Sequence, residues 1–142
     1  MTPTFKLGPG DAPAIEILPS EINPLVALLV EERAPLDGEI LNSILSFLQL
    51  DSLYLSKNSE SFFLGFESIC GRVVAGDLIQ YSVARVETSE FAGYLKGGAG
   101  EGIVTSAIRA AAQRFLDFLA KHPDHWPLRE FGPGVGGSGR DA

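Results

Sequence analysis

Cys70 and the two imidazoles, His122 and His125, are the side chains of this chain best suited to nucleophilic or metal chemistry. A thiolate beside an imidazole makes a nucleophile with its base. Cys70, however, follows the apolar run Phe62-Phe63-Leu64-Gly65-Phe66 and Ile69, where a lone cysteine is a small buried hydrophobe. No catalytic-cysteine signature surrounds it. His122-Pro123-Asp124-His125 carries three metal-ligand side chains, but Pro123 breaks any helix between the histidines, and a ligand set needs a rigid element and further ligands. A solvated helix end accounts for the same residues, with His122 favoured at the negative pole of the helix dipole. The sequence therefore assigns no catalytic residue and no metal ligand.

A second feature is Lys96-Gly97-Gly98-Ala99-Gly100-Glu101-Gly102, just ahead of an apolar helical pattern. Glycines at a helix N-terminus can aim backbone amides at an anion, so Gly97, Gly98, Gly100 and Gly102 are candidates for an anion loop. The pattern departs from the known phosphate loops. Ile103-Val104 stand where a nucleotide loop has Lys and then Ser or Thr, and Gly102 follows Gly100 by two residues where a dinucleotide loop requires three. Glu101 would repel a phosphate. A hinge or tight turn is the simpler reading, and no cofactor is assigned.

A third feature is aromatic. Trp126, Leu128 and Phe131 follow the last helical pattern and must dock on something, or they expose apolar surface. They either fold back on their own domain or form a docking surface, since Trp and Phe are enriched at interface hot spots. With Phe91, they are the candidate partner-binding residues.

Charge and composition narrow the class. The chain has 142 residues, 45% hydrophobic and 20% charged, which is one ordinary globular domain. Its net charge of −7, from 18 acidic and 11 scattered basic residues, argues against nucleic acid and anionic membrane as partners. The longest apolar stretch, Leu25 to Val30, falls far short of the ~20 residues that span a bilayer. With one cysteine and no apolar export core at the start, the expected location is cytoplasmic.

The elements that would position these residues follow from pattern. Residues 1–13, broken by Gly8-Pro9-Gly10 and Pro13, read as an extended N-terminal arm, and residues 132–142 as a flexible glycine-rich tail. Between them, 14–131 reads as a single α+β domain. Ile15 to Leu18 is a short strand. Asn23 caps a helix from Pro24 to about Arg33, apolar all round, for which a buried strand is the competing reading. Asp37 caps a helix from Gly38 to Leu50 with Ile40, Leu41, Ile44, Leu45, Phe47 and Leu48 on one face, and the two form a helical hairpin. Leu53–Leu55, Ser61–Cys70 and Leu78–Glu87 read as strands of an antiparallel meander. Residues 89–96 are either a single helical turn or an edge strand. Ile103 to Lys121 is an amphipathic helix with Val104, Ile108, Ala111, Phe115, Phe118 and Leu119 inward, and Pro123 ends it.

The expectation is a small, mainly antiparallel sheet of three to five strands, preceded by the hairpin and covered on one face by the C-terminal helix. In size, acidity and element order such a chain resembles the small dimeric chaperones of bacterial type III secretion, which implies an acidic, chaperone-like binding protein. Without a nucleophile, base and orienting group together, the expected function is a non-enzymatic protein-binding or assembly subunit. A homodimer is expected, because a strand over Phe62–Ile69 has apolar groups on both faces and helices cover one of them. The alternative is a small-molecule enzyme or ligand sensor with a pocket between sheet and helices, marked by a carboxylate such as Glu67 in apolar surroundings.

Overall fold

Burial of the apolar stripes read above requires helices and strands to share faces, and a computed structural model shows how they do so. It describes residues 2–33, 38–82 and 101–127. In chain order the elements are β1 (Thr4–Lys6), β2 (Ala14–Glu16), α1 (Pro19–Arg33), α2 (Gly38–Leu50), β3 (Ser52–Tyr54), α3 (Glu60–Ala75), β4 (Gln80–Ser82), β5 (Glu101–Ile103) and α4 (Ser106–Ala120). The class is α+β, with four helices among the described residues and small sheets of three and two strands.

The largest departure from expectation is α3. Residues 61–70 form a helix where the sequence reads as a strand across the polar turn from Leu53–Leu55. Phe62, Phe63, Phe66, Ile69, Cys70 and Val73 recur at helical spacing, and all are buried. Gly76 ends the helix in the left-handed conformation, its N–H bonded to the carbonyls of Arg72 and Val73. With α3 helical there is no β meander among the described residues, and they do not show the element order behind the chaperone resemblance. The premise of the homodimer goes with it. The apolar groups expected on two faces of a strand are buried inside the chain, and only Leu64 among them is exposed.

The three-stranded sheet runs in the order β2-β1-β3, with β1 antiparallel to β2 and parallel to β3. It is therefore mixed rather than mainly antiparallel, while β4 and β5 form a separate antiparallel pair. The segment 1–13, expected as an arm, supplies the central strand. Phe5 in that strand is fully buried and meets rings from three helices: Phe47 of α2, Phe62, Phe63 and Phe66 of α3, and Phe115 of α4. Neighbours Ile15 and Leu53 share its face, so the sheet caps the helices with one side, as expected.

α1 is buried at every residue from Ile22 to Val30, which its all-round apolarity requires. It packs on α3, α4 and β4. It begins at Pro19, with the carbonyl of Leu18 accepting from the amides of Glu21 and Ile22, so Asn23 is not its cap and Pro24 lies within it. α1 and α2 do not form the expected hairpin; each packs on α3. Gly65 of α3 makes the α1 crossing close, since a Cβ there would stand 3.0 Å from Leu29 Cδ1. α4 buries Ile108, Ala111, Phe115, Phe118 and Leu119 as expected, but starts at Ser106, with the Thr105 hydroxyl accepting from the amide of Ile108. No helix among the described residues is long and apolar enough to cross a membrane.

Candidate functional site

α2 turns its buried face, Ile40, Ile44 and Phe47, to the core, which leaves Asn42, Ser46 and Leu50 along its other side at a spacing of four. At its end Asp51 takes a left-handed conformation (φ 54°), one that Asp tolerates better than most residues. Its amide donates to Phe47 O (2.7 Å) and its carbonyl accepts from Thr4 N (3.0 Å). The chain thus reverses within one residue and lays β3 back alongside α2. Between them opens a cleft of about 590 Å³, its walls formed by Asn42, Ser43, Ser46 and Leu50 on one side and Ser52, Leu53 and Tyr54 on the other.

The remaining walls come from two turns. In the turn before α3, Ser59 is buried, its hydroxyl donating to Tyr54 O (2.8 Å) and accepting from Ser56 N (2.9 Å). The Ser43 hydroxyl donates to Asn58 O (3.3 Å), which ties this turn to α2. From α2, Glu39 accepts from the Ser61 amide (3.1 Å), placing a carboxylate at the positive end of α3. On the far side Lys6 donates to the Gly10 carbonyl, and both line the cleft. Among the described residues Lys6 is the one charged side chain in the lining; the others are hydroxyls, amides, Pro9, Gly10, the buried Leu53 and the exposed Tyr54 and Leu50. A surface of this kind can hold neutral hydrogen-bonding groups and apolar side chains. Among the described residues it brings together no nucleophile with a base and no pair of carboxylates.

The residues singled out in the sequence lie elsewhere. Trp126 is buried, not a free anchor: its ring sits 6.0 Å from Phe63 and its Nε1 donates to Glu67 Oε2 (3.2 Å). It folds back on its own domain. Phe91, Leu128 and Phe131 lie outside the described residues, as do Gly97, Gly98 and Gly100. Gly102 is not at a helix N-terminus. It belongs to β5, opposite Tyr81, and Thr105 is the residue that caps α4. Glu67 does not line the cleft.

Cys70 is buried in α3, and loss of hydration, with the nearby Glu67 charge adding to it, pushes its thiol pKa well up. Such a thiol is a poor nucleophile. His122 packs edge-on against Phe118 (5.3 Å) and its ring lies 6.2 Å from that of His125. Among the described residues no three histidine, cysteine or acidic side chains converge to hold a metal.

Sequence reasoning missed the α2–β3 cleft. The available signal was the density of short polar residues between 42 and 59, which reads as turn chemistry until the helix and strand are folded together. No model of a known protein family matches the chain. Comparison with curated protein sequences finds no match either. Nor does any solved structure match its fold.

Proposed function

We propose that this chain is a non-enzymatic binding module that holds a segment of a partner protein in the α2–β3 cleft. The observation that carries the reading is the lining. Neutral donors and acceptors from Asn42, Ser46, Ser52 and Asn58 lie beside two accessible apolar side chains, Leu50 and Tyr54, with no acid–base pair among them. Recognition of a polypeptide needs that mixture, whereas turnover of a substrate needs a group to move protons. Ser46 is exposed on the cleft wall, so Ser46→Trp fills the cleft without entering the core. Partners recovered with the tagged wild type and identified by mass spectrometry are expected to be lost with Ser46→Trp and kept with Lys121→Ala, an exposed site away from the cleft. Equal recovery by all three proteins overturns the reading.

A second reading, a sensor of a small polar molecule, is favoured by the cleft volume of about 590 Å³, which suits a compact ligand. A thermal-shift screen of polar metabolites separates the two. A compound that stabilises wild type and Ser46→Trp alike binds elsewhere; one whose effect that substitution abolishes supports the sensor.

A further inference from the structure

We propose that the partner segment binds as an added β-strand along the free edge of β3; this rests on the cleft being the binding site. Among the described residues the strand order places β3 at an edge, with β1 on one side only. The ladder to β1 uses alternate residues. Thr4 N donates to Asp51 O and Leu55 N to Lys6 O, so with the register Phe5 to Leu53 it is 51, 53 and 55 whose backbone groups face β1. Ser52 and Tyr54 therefore direct theirs the other way. Of these, the Tyr54 carbonyl is taken by the Ser59 hydroxyl. The Ser52 N–H, the Ser52 carbonyl and the Tyr54 N–H face outward, at the two-residue spacing that an adjacent strand matches.

The shape of the cleft agrees. All three residues of β3 line it, although their side chains alternate between the two faces of the sheet. An open edge contacts the cleft through every residue of a strand, whereas a face would do so through every second one. The opposite wall is a helix, α2, so the site is a trough between an edge strand and a helix, one of the ways proteins capture extended peptides. Charge narrows the occupant. Among the described residues Lys6 is the sole charged side chain in the lining, and the protein has net charge −7, so the segment that fits carries a carboxylate near Lys6 and no cluster of acidic residues elsewhere.

The test uses heptapeptides selected against the full chain from a random display library, then synthesised. Binders are expected to contain Asp or Glu, to be lost on Ser46→Trp, and to weaken at high salt and on Lys6→Gln. N-methylation along the peptide should alternate, costing about tenfold in affinity at every second position and little between, because only alternate amides face β3. On the protein, Tyr54→Pro removes an outward N–H and leaves the β1 ladder intact, as proline at an edge does. It should bind about tenfold more weakly than Tyr54→Ala, which controls for the lost ring. Hydrogen exchange at Ser52 and Tyr54 should slow on binding. Peptides that Ser46→Trp excludes but that are indifferent to N-methylation and to Tyr54→Pro overturn strand addition and leave the cleft as the site. A library yielding no peptide sensitive to Ser46→Trp overturns both.

Discussion

The ring of Phe5 lies flat on that of Phe47, with centroids 4.6 Å apart and planes 13° apart. One ring comes from a three-residue strand near the chain start and the other from α2, so the pair fixes the sheet to the helices. Truncating Phe5 to Ala should cost about 3–5 kcal/mol, as for other large core rings. A detachable arm would lose almost nothing. Urea denaturation with a midpoint shift at constant slope checks it.

Helix and strand readings of residues 60–75 predict different partners for each side chain. In a strand Phe62, Leu64 and Phe66 share a face. In α3 Phe63 is buried and Leu64 is exposed. Phe63→Ala should cost about 3–5 kcal/mol and Leu64→Ala less than about 1 kcal/mol. Similar losses at both positions would contradict the helix.

Two glycines of α3 should respond in opposite directions. Gly71 has open space where a Cβ would go, so Gly71→Ala should stabilise by about 0.5–1 kcal/mol through helix propensity. At Gly65 a larger side chain meets Leu29, and Gly65→Val should destabilise by about 1–3 kcal/mol through overpacking. Thermal melts of the two variants decide it.

Trp126 is the only tryptophan and reports on its own docking. Its burial against Phe63 predicts blue-shifted emission and weak quenching by acrylamide in the folded protein, both lost on unfolding. Strong native-state quenching would show the ring to be exposed.

Cys70 gives a pH dependence whose sign follows from its raised pKa. Below the ordinary thiol range the group is neutral in folded and unfolded chains, and its contribution is fully present. Above pH ~8.5 the unfolded thiol ionises while the buried one stays protonated, so stability should fall by up to about 1.4 kcal/mol per pH unit. Cys70→Ala should remove that component of the alkaline slope. The native thiol should also be silent to Ellman's reagent until denaturant is added.

Where local pattern was decisive, sequence alone was enough. α2 spans Gly38–Leu50 as its 3.6-residue period requires, and Ile108, Phe115 and Leu119 face inward on α4 because no other face of that helix can be buried. Other features depended on what lay opposite. The run Phe62–Cys70 has aromatic residues that suit a strand, and only the rings of Phe5 and Phe115 packed against it make the helical arrangement the one that buries them together. Thr4–Lys6 is too short to hold a strand alone, and becomes one because β2 and β3 both supply hydrogen bonds to it. The candidate site shares that origin. Asn42, Ser46, Ser52 and Tyr54 are unremarkable along the chain, and the left-handed turn at Asp51 that sets them across a cleft is anchored by the carbonyl of Phe47 and the amide of Thr4. A periodic pattern determines which face of an element must be buried, but not which element buries it; that second choice, made by tertiary packing, created the cleft.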